Sequence, residues 1–318
     1  MEERYSLDKK HSIERKHSNE EKESIKEKQS TKEKDSMEEK NSMEEKNSTE
    51  EIGEAILRTA GLTKQYRGTH AVNDVSLSIY RGDIFGFVGA NGAGKTTFMR
   101  MVCGLIHPTA GRLELFGASS EKELQERRKK MGALIEHPAV YTNMTALQNL
   151  DVQRRYLEMD FGKNPEKALL ELLDLVGLAD VRNKKAGKFS LGMRQRLGLA
   201  MALVGNPEFV ILDEPTIGLD PLGVMELREL VLKLNRERGL TILFSSHNLA
   251  EMAHIATRYG FLDKGKLLGT VTAEEVRRAC KDREIDLETY FVELLMAARG
   301  GEAPGRNSRE NGRKEGYL

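Results

Sequence analysis

The sequence predicts an α/β domain built around a parallel sheet. Three observations carry this: short wholly apolar runs, helix-like runs between them, and a glycine-rich turn joining one of each. In chain order, "VSLSIYRGDIFGFVG" (75–89) reads as strand, turn, strand, with Arg81-Gly82-Asp83 as the turn. "TTFMRMVCGL" then follows the glycine-rich turn as a helix. "NPEKALLELLDLVGL" (164–178) and "PLGVMELRELVLKLNRERG" (221–239) are helix-like, each with an early proline and a glycine near its end. "FVILDEP" (209–215) and "LTILFSSH" (240–247) are apolar without alternation, the pattern of strands covered on both faces.

Composition bounds what surrounds this core. Lysine plus arginine and aspartate plus glutamate number 50 each in 318 residues, so no net field favours a polyanion and no nucleic acid is expected as partner. Cys103 and Cys280 have neither metal-ligand spacing nor a nearby histidine cluster, and read as idle thiols in a reducing compartment. "MEERYSLDKK" has no secretory apolar run, and no stretch reaches the roughly 18 apolar residues that a membrane span needs. The expectation is a cytoplasmic protein, whose work at a membrane would require a second chain.

Residues 1–53 read as a separate low-complexity tail. Serine recurs every six residues from Ser6 to Ser48, and lysine keeps the same step from Lys10 to Lys46. A step of six turns a helical side chain by about 600°, so the sparse Leu7, Ile13, Ile25, Met37 and Met43 scatter around the cylinder. With so little to bury, this charged hexad tail is expected to be disordered. The folded domain is expected over 54–296, with a second disordered tail over 297–318.

The turn "VGANGAGKTTFMR" (88–100) carries the first chemistry. Gly89, Gly94, Lys95 and Thr96 fit G-x-x-x-x-G-K-[ST] between a strand-like and a helix-like run. Glycines let the backbone curl so that several N–H groups point into one concavity, and the following helix adds its positive end. Gly89, Asn91, Gly92, Ala93, Gly94, Lys95, Thr96 and Thr97 are thus expected to cradle a nucleoside triphosphate. Lys95 would reach the β- and γ-phosphates, and the Thr96 hydroxyl would sit on Mg²⁺.

The second half of the site closes an apolar strand. Asp213 and Glu214 follow "FVIL", where carboxylates are placed for the metal and the attacking water. Asp213 is expected to hold Mg²⁺ through its water shell, and Glu214 to polarise the water as general base. His247, after "ILFSS", is placed to hydrogen-bond the γ-phosphate and orient the water.

These motifs, with "KFSLGMRQRLGLA" (188–200), resemble the nucleotide-binding subunit of an ATP-binding-cassette (ABC) transporter over roughly residues 55–296. The resemblance implies a P-loop NTPase fold with a RecA-like parallel-sheet core, an antiparallel β subdomain and a helical signature subdomain. Ser190-Leu191-Gly192-Met193-Arg194 looks like a variant of the family signature L-S-G-G-Q, with Leu191 in place of the first glycine. No guanine-reading N-K-x-D is present, so ATP is preferred.

In the family the signature caps the γ-phosphate bound by the opposite subunit. The resemblance therefore implies ATP hydrolysis by a head-to-tail dimer, with a second copy or a homologous ATP-binding subunit as mate. It also implies an integral-membrane permease that holds the chain at the inner face of the cell membrane. Ser190 and Gly192 would supply the capping contacts, Tyr66 would stack on adenine, and Asp220 would lie in the loop that signals across the dimer, where Ile217 replaces a smaller polar residue.

Glu136 stands where the family usually has glutamine, contacting Mg²⁺ or the attacking water. Glutamate keeps an oxygen ligand for Mg²⁺ but adds a negative charge beside the phosphates. With "SLGM", it is similar to cassettes serving bacitracin- and lantibiotic-type antimicrobial peptide export and self-protection. Two other readings compete with this one. A switch ATPase outside transport should carry a long insertion or a second cassette, and the Lys95–Ser190 spacing accommodates neither. A nucleotide-binding module without turnover should lack the glutamate that Glu214 supplies.

Overall fold

The structure, a computed structural model, describes residues 53–299. The chain divides into Met1–Gly53 and Glu54–Leu318, and only the second unit is described below. The hexad tail and the segment beyond 299 lie outside the described residues.

Two sheets form the domain. The first is antiparallel, in the order β2-β1-β4, from β1 (Ala55–Tyr66), β2 (Thr69–Tyr80) and β4 (Ala110–Leu115). The second has six strands in the order β5-β6-β7-β3-β8-β9. These are β3 (Ile84–Val88), β5 (Met131–Leu134), β6 (Phe209–Asp213), β7 (Thr241–Ser246), β8 (Arg258–Asp263) and β9 (Lys266–Thr272). All pairs are parallel except β8–β9. This is the α/β P-loop architecture that the sequence predicts.

The continuous apolar runs have a direct explanation. Every residue of β3, β6 and β7 is buried. Alternate side chains leave each strand on opposite faces and enter two different cores. Ile84, Val88, Val210, Leu212, Ile242 and Phe244 belong to one cluster. Phe85, Phe87, Phe209, Ile211 and Leu243 belong to the other. A strand covered on both faces loses the polar positions that alternation would otherwise show.

The second cluster joins the parallel sheet to the antiparallel one through Ile56, Leu57, Val72 and Ile79, and to α1 (Lys95–Val102). Phe98 of α1 meets Phe87 with ring centroids 5.0 Å apart at a tilt of 55°. Each such buried aromatic removes a large apolar area from water, worth about 1.5–3 kcal/mol. α2 (Glu121–Arg128) flanks β4.

The first cluster takes in α3 (Ala146–Tyr156), α4 (Pro165–Leu175), α5 (Leu191–Leu203) and α6 (Pro221–Arg238) through Leu150, Leu173, Leu197 and Val231. α7 (Leu249–Ala253), α8 (Ala273–Arg283) and α9 (Leu287–Ala298) complete this side. Helix starts follow local chemistry. Thr145 and Gln148 form a reciprocal capping box on α3, as do Thr272 and Glu275 on α8.

Two details go beyond the sequence reading. The strands on either side of Arg81-Gly82-Asp83 belong to different sheets, so that turn is a crossing between layers. Tyr80 N–H donates to the Asp83 carboxylate at 2.9 Å, and Gly82 N–H donates to Thr241 Oγ1 at 2.9 Å. The final helix continues to Ala298, past the expected boundary at 296, because Asp286 caps its start and Tyr290, Phe291 and Leu294 hold it on the core.

Candidate functional site

Strand order builds the site. β7 lies between β3, which leads into the glycine-rich loop, and β6, which ends in Asp213. Ser245 of β7 is register partner to both Phe87 and Asp213. The carboxyl ends of three neighbouring strands thus converge at one edge, where open α/β sheets place ligands.

The loop needs glycine for close approach. A Cβ on Gly89 would lie 2.4 Å from the Leu262 carbonyl oxygen, and one on Gly94 would lie 2.3 Å from that of Ala71. Gly94 caps α1 at φ 108°, a conformation that side chains disfavour. The amides of Gly94, Lys95, Thr96 and Thr97 meet no carbonyl among the described residues, as expected at a helix start. Ala93 N–H instead closes the loop on Ala90 O at 3.0 Å. A row of free donors beside a positive helix end fits a phosphate chain.

Lys95 is buried, only 5% exposed. Its ammonium donates to Gly89 O at 2.6 Å and Ala90 O at 3.3 Å, and lies 3.2 Å from Glu214 Oε1. That approach is ionic only, since Glu214 Oε1 accepts no hydrogen bond among the described residues. A buried acceptor left open beside a cation is a position that a ligand can complete.

The carboxylates are held from several sides. Asp213 is buried; its Oδ2 accepts from the Thr96 hydroxyl and its Oδ1 from the Ser245 hydroxyl, both at 2.6 Å. Glu214 N–H donates to Ser245 Oγ at 2.9 Å, and Glu214 takes a left-handed φ of 48°. His247 Nδ1 lies 2.8 Å from Glu214 Oε2, to which His247 N–H also donates at 3.3 Å. Lys95, Thr96, Asp213, Glu214 and His247 therefore form one connected constellation.

Other sequence-derived residues stand apart from it. Ser190 caps α5, its hydroxyl accepting from Met193 N–H at 3.2 Å, and Gly192 sits in the first turn. Asp220 caps α6 by accepting from Gly223 N–H at 2.9 Å. Among the described residues no hydrogen bond or ion pair joins Ser190 or Asp220 to the glycine-rich loop. Leu191 lies over the loop before Asp220: a Cβ on Gly218 would come within 2.3 Å of Leu191 Cδ2. Tyr66 is half exposed, with the Lys64 ammonium 5.1 Å from its ring centroid.

Glu136 follows β5 at a left-handed φ of 62°, and its carboxylate pairs with the Arg100 guanidinium rather than with Thr96 or Asp213. Among the described residues no cluster of three His, Cys, Asp or Glu side chains could hold a metal. A cation here would rest on the Thr96 hydroxyl, Asp213 and the oxygens of a bound phosphate chain, an all-oxygen set that suits Mg²⁺.

Sequence reasoning passed over two residues. Ser245 reads as a strand residue, and only its register opposite Asp213 reveals its two site contacts. Arg100 carries a signal in its spacing: four residues after Thr96, it lies on the same helix face.

Beside this edge lies a cavity of about 570 Å³, lined by Leu105, Ile135, Pro138, Tyr141, Tyr156 and Leu157 among others. Tyr156, Leu105 and Tyr141 stand well exposed at it. Cys103 also lines it, and burial pushes its thiol up to about 12, so it stays protonated and unreactive at neutral pH. No helix among the described residues is long and apolar enough to cross a membrane.

The chain matches the ABC transporter family over residues 72–217. It is 43% identical over 223 residues to the bacitracin transport ATP-binding protein BcrA of Bacillus licheniformis, covering 70% of this chain and 72% of that protein. It is 39% identical over 214 residues to the lantibiotic transport ATP-binding protein SrtF of Streptococcus pyogenes, covering 67% and 89%. In structure it is similar to a dimeric ATP-binding cassette in a post-hydrolysis state bound to ADP and Pi. That match has 25% identity and a TM-score of 0.63, and covers 68% of this chain and 98% of the other. The ATP-binding subunit of an ABC transporter matches at 27% identity and a TM-score of 0.67, covering 76% and 99%. The free amides and buried lysine of one loop, the carboxylates facing them, and relatives across most of the domain make this chain a member of the ABC transporter family, an ATP-binding and ATP-hydrolysing subunit.

Proposed function

We propose that this subunit closes head-to-tail with a second copy, or with a homologous subunit, around MgATP and thereby drives an integral-membrane permease that exports an antimicrobial peptide of the bacitracin or lantibiotic type. The observation that carries the reading is the division of the site. Lys95, Thr96, Asp213, Glu214 and His247 are linked to one another, whereas Ser190 caps a helix with no bond to any of them. A second chain would bring its own Ser190 end to the open side of the phosphate cradle.

Within this scheme, the free amides of residues 94–97 bind the phosphate chain, and Lys95 transfers its ammonium from the Gly89 and Ala90 carbonyls to phosphate oxygens. Thr96 and Asp213 would hold Mg²⁺, which supplies charge neutralisation at the phosphates when bound. Glu214 accepts a proton from the attacking water through the oxygen that faces Lys95, while His247 holds the other oxygen in place. Tyr66 offers an exposed ring for the adenine. Ser190 and Gly192 cap the mate's γ-phosphate, and Asp220 lies where the two chains meet.

The cavity beside Glu136 is the permease contact. Its exposed tyrosines and leucines suit a short amphipathic helix, which would hold the subunit at the inner face of the membrane. The names of the relatives support the peptide cargo.

Two measurements test the proposal. Hydrolysis per molecule should fall on dilution, as a shared site requires; a dilution-independent rate from a strict monomer overturns the dimer. Co-expression with its permease should raise the bacitracin or lantibiotic concentration that cells survive. Unchanged sensitivity to both compounds, with both chains present at the membrane, overturns the cargo.

A further inference from the structure

We propose that Arg100 is a positioning residue for ATP binding: by pairing with Glu136 it cancels the carboxylate charge that would otherwise oppose the incoming triphosphate. This rests on the reading above, in which the amides of residues 94–97, at the start of the helix that carries Arg100, bind the phosphate chain of ATP.

The geometry begins on α1. Thr96 bonds Asp213 in the site, and Arg100, one helical turn later on the same face, bonds Glu136. One short helix thus carries both the amides that meet the phosphates and the cation that meets this loop. Glu136 lies two residues past β5, the edge strand paired in parallel with β6, whose carboxyl end carries Asp213. The left-handed backbone of Glu136 is sparsely populated for a residue with a side chain and persists only where the surroundings hold it. The Arg100 guanidinium is such a hold.

The electrostatics give the pair its purpose. A glutamine at position 136 would add no charge, whereas glutamate adds one negative charge to a site built for an anion. Arginine keeps its charge at all physiological pH values and meets a carboxylate with directed N–H donors. The two side chains are 37% and 55% exposed, so the pair adds little to folding stability. Its effect is expected instead on a ligand that carries several negative charges close by.

The test is a double-mutant cycle on the full chain, read by equilibrium titration with trinitrophenyl-ATP in the presence of Mg²⁺. Arg100→Ala should weaken binding by about threefold to tenfold, a coupling typical of contacting charges. Arg100→Lys should retain most of the affinity, since it keeps the charge. In the Glu136→Gln background, Arg100→Ala should have almost no effect, because no charge remains to be cancelled. In steady-state assays the loss should fall on KM for MgATP rather than on kcat, and it should shrink at high salt. Circular dichroism confirms that each variant is folded. Parent-like binding by Arg100→Ala, or an equal loss in both backgrounds, overturns the role of Arg100 alone. A parent protein that does not bind the probe overturns the nucleotide reading itself, and this inference with it.

Discussion

His247 Nδ1 stands 2.8 Å from Glu214 Oε2, leaving the buried Oε1 of the same carboxylate facing Lys95 with no hydrogen bond among the described residues. One oxygen is anchored and the other is open, the arrangement a general base requires. Glu214→Gln keeps the shape and removes the basicity. Phosphate release should fall by about 10²–10⁴-fold while ATP binding persists, and a nucleotide-bound dimer should accumulate in light scattering. Turnover at the parent rate would remove Glu214 from the chemistry.

Ser245 is fully buried and serves both acidic residues, donating to Asp213 and accepting from the Glu214 amide. Ser245→Ala strands a buried carboxylate oxygen and a backbone N–H. Such losses cost about 1–3 kcal/mol, measurable as a lower urea midpoint. Because Asp213 also holds Thr96, the affinity for MgATP should drop as well. Parent-like stability would show that water replaces the hydroxyl.

The local part of this site was legible in the chain, and the non-local part was not. Lys95 and Thr96 announce themselves because glycine spacing and a helix start lie within one short segment. Asp213 and Glu214 are found because an apolar run leads into them. Ser245 owes its role to strand order, which no sequence period encodes, and Arg100 to a contact across 36 residues, of which the four-residue step from Thr96 gives the helix face but not the partner. The layer crossing at Arg81–Asp83 was hidden for the same reason: a turn between two strands reads alike whether or not they pair.

Glu208 offers a test by pH. Its carboxyl is held below the usual carboxylate range, chiefly by the hydrogen bond from Lys130 and then by that from Arg81. A folded value below the unfolded one stabilises above the unfolded pKa, and the contribution is lost as pH falls through the folded value. Glu208→Gln should thus destabilise at pH 7 by about 0.5–1 kcal/mol, screening included, and should match the parent at acid pH below the folded value. An equal deficit at both pH values would mean that packing, not charge, is responsible.

Gly218 has φ 76°, and Leu191 fills the space where its Cβ would be. Gly218→Ala should lower the urea midpoint, since the left-handed backbone alone costs about 1–2 kcal/mol. Adding Leu191→Ala should recover the steric share but not the backbone share. ATP-driven dimerisation, measured by light scattering, should improve in the double variant over Gly218→Ala. No recovery would place the whole effect in the backbone.

That leucine has a mechanical consequence. With a branched side chain wedged over Gly218, the tip of α5 and the bend that starts α6 become a single lever. A cassette with glycine at both places could flex either segment alone. In this chain a tilt that lifts one tip would drag the other, so under the proposed function capping the neighbour's nucleotide and reporting on it would be one movement.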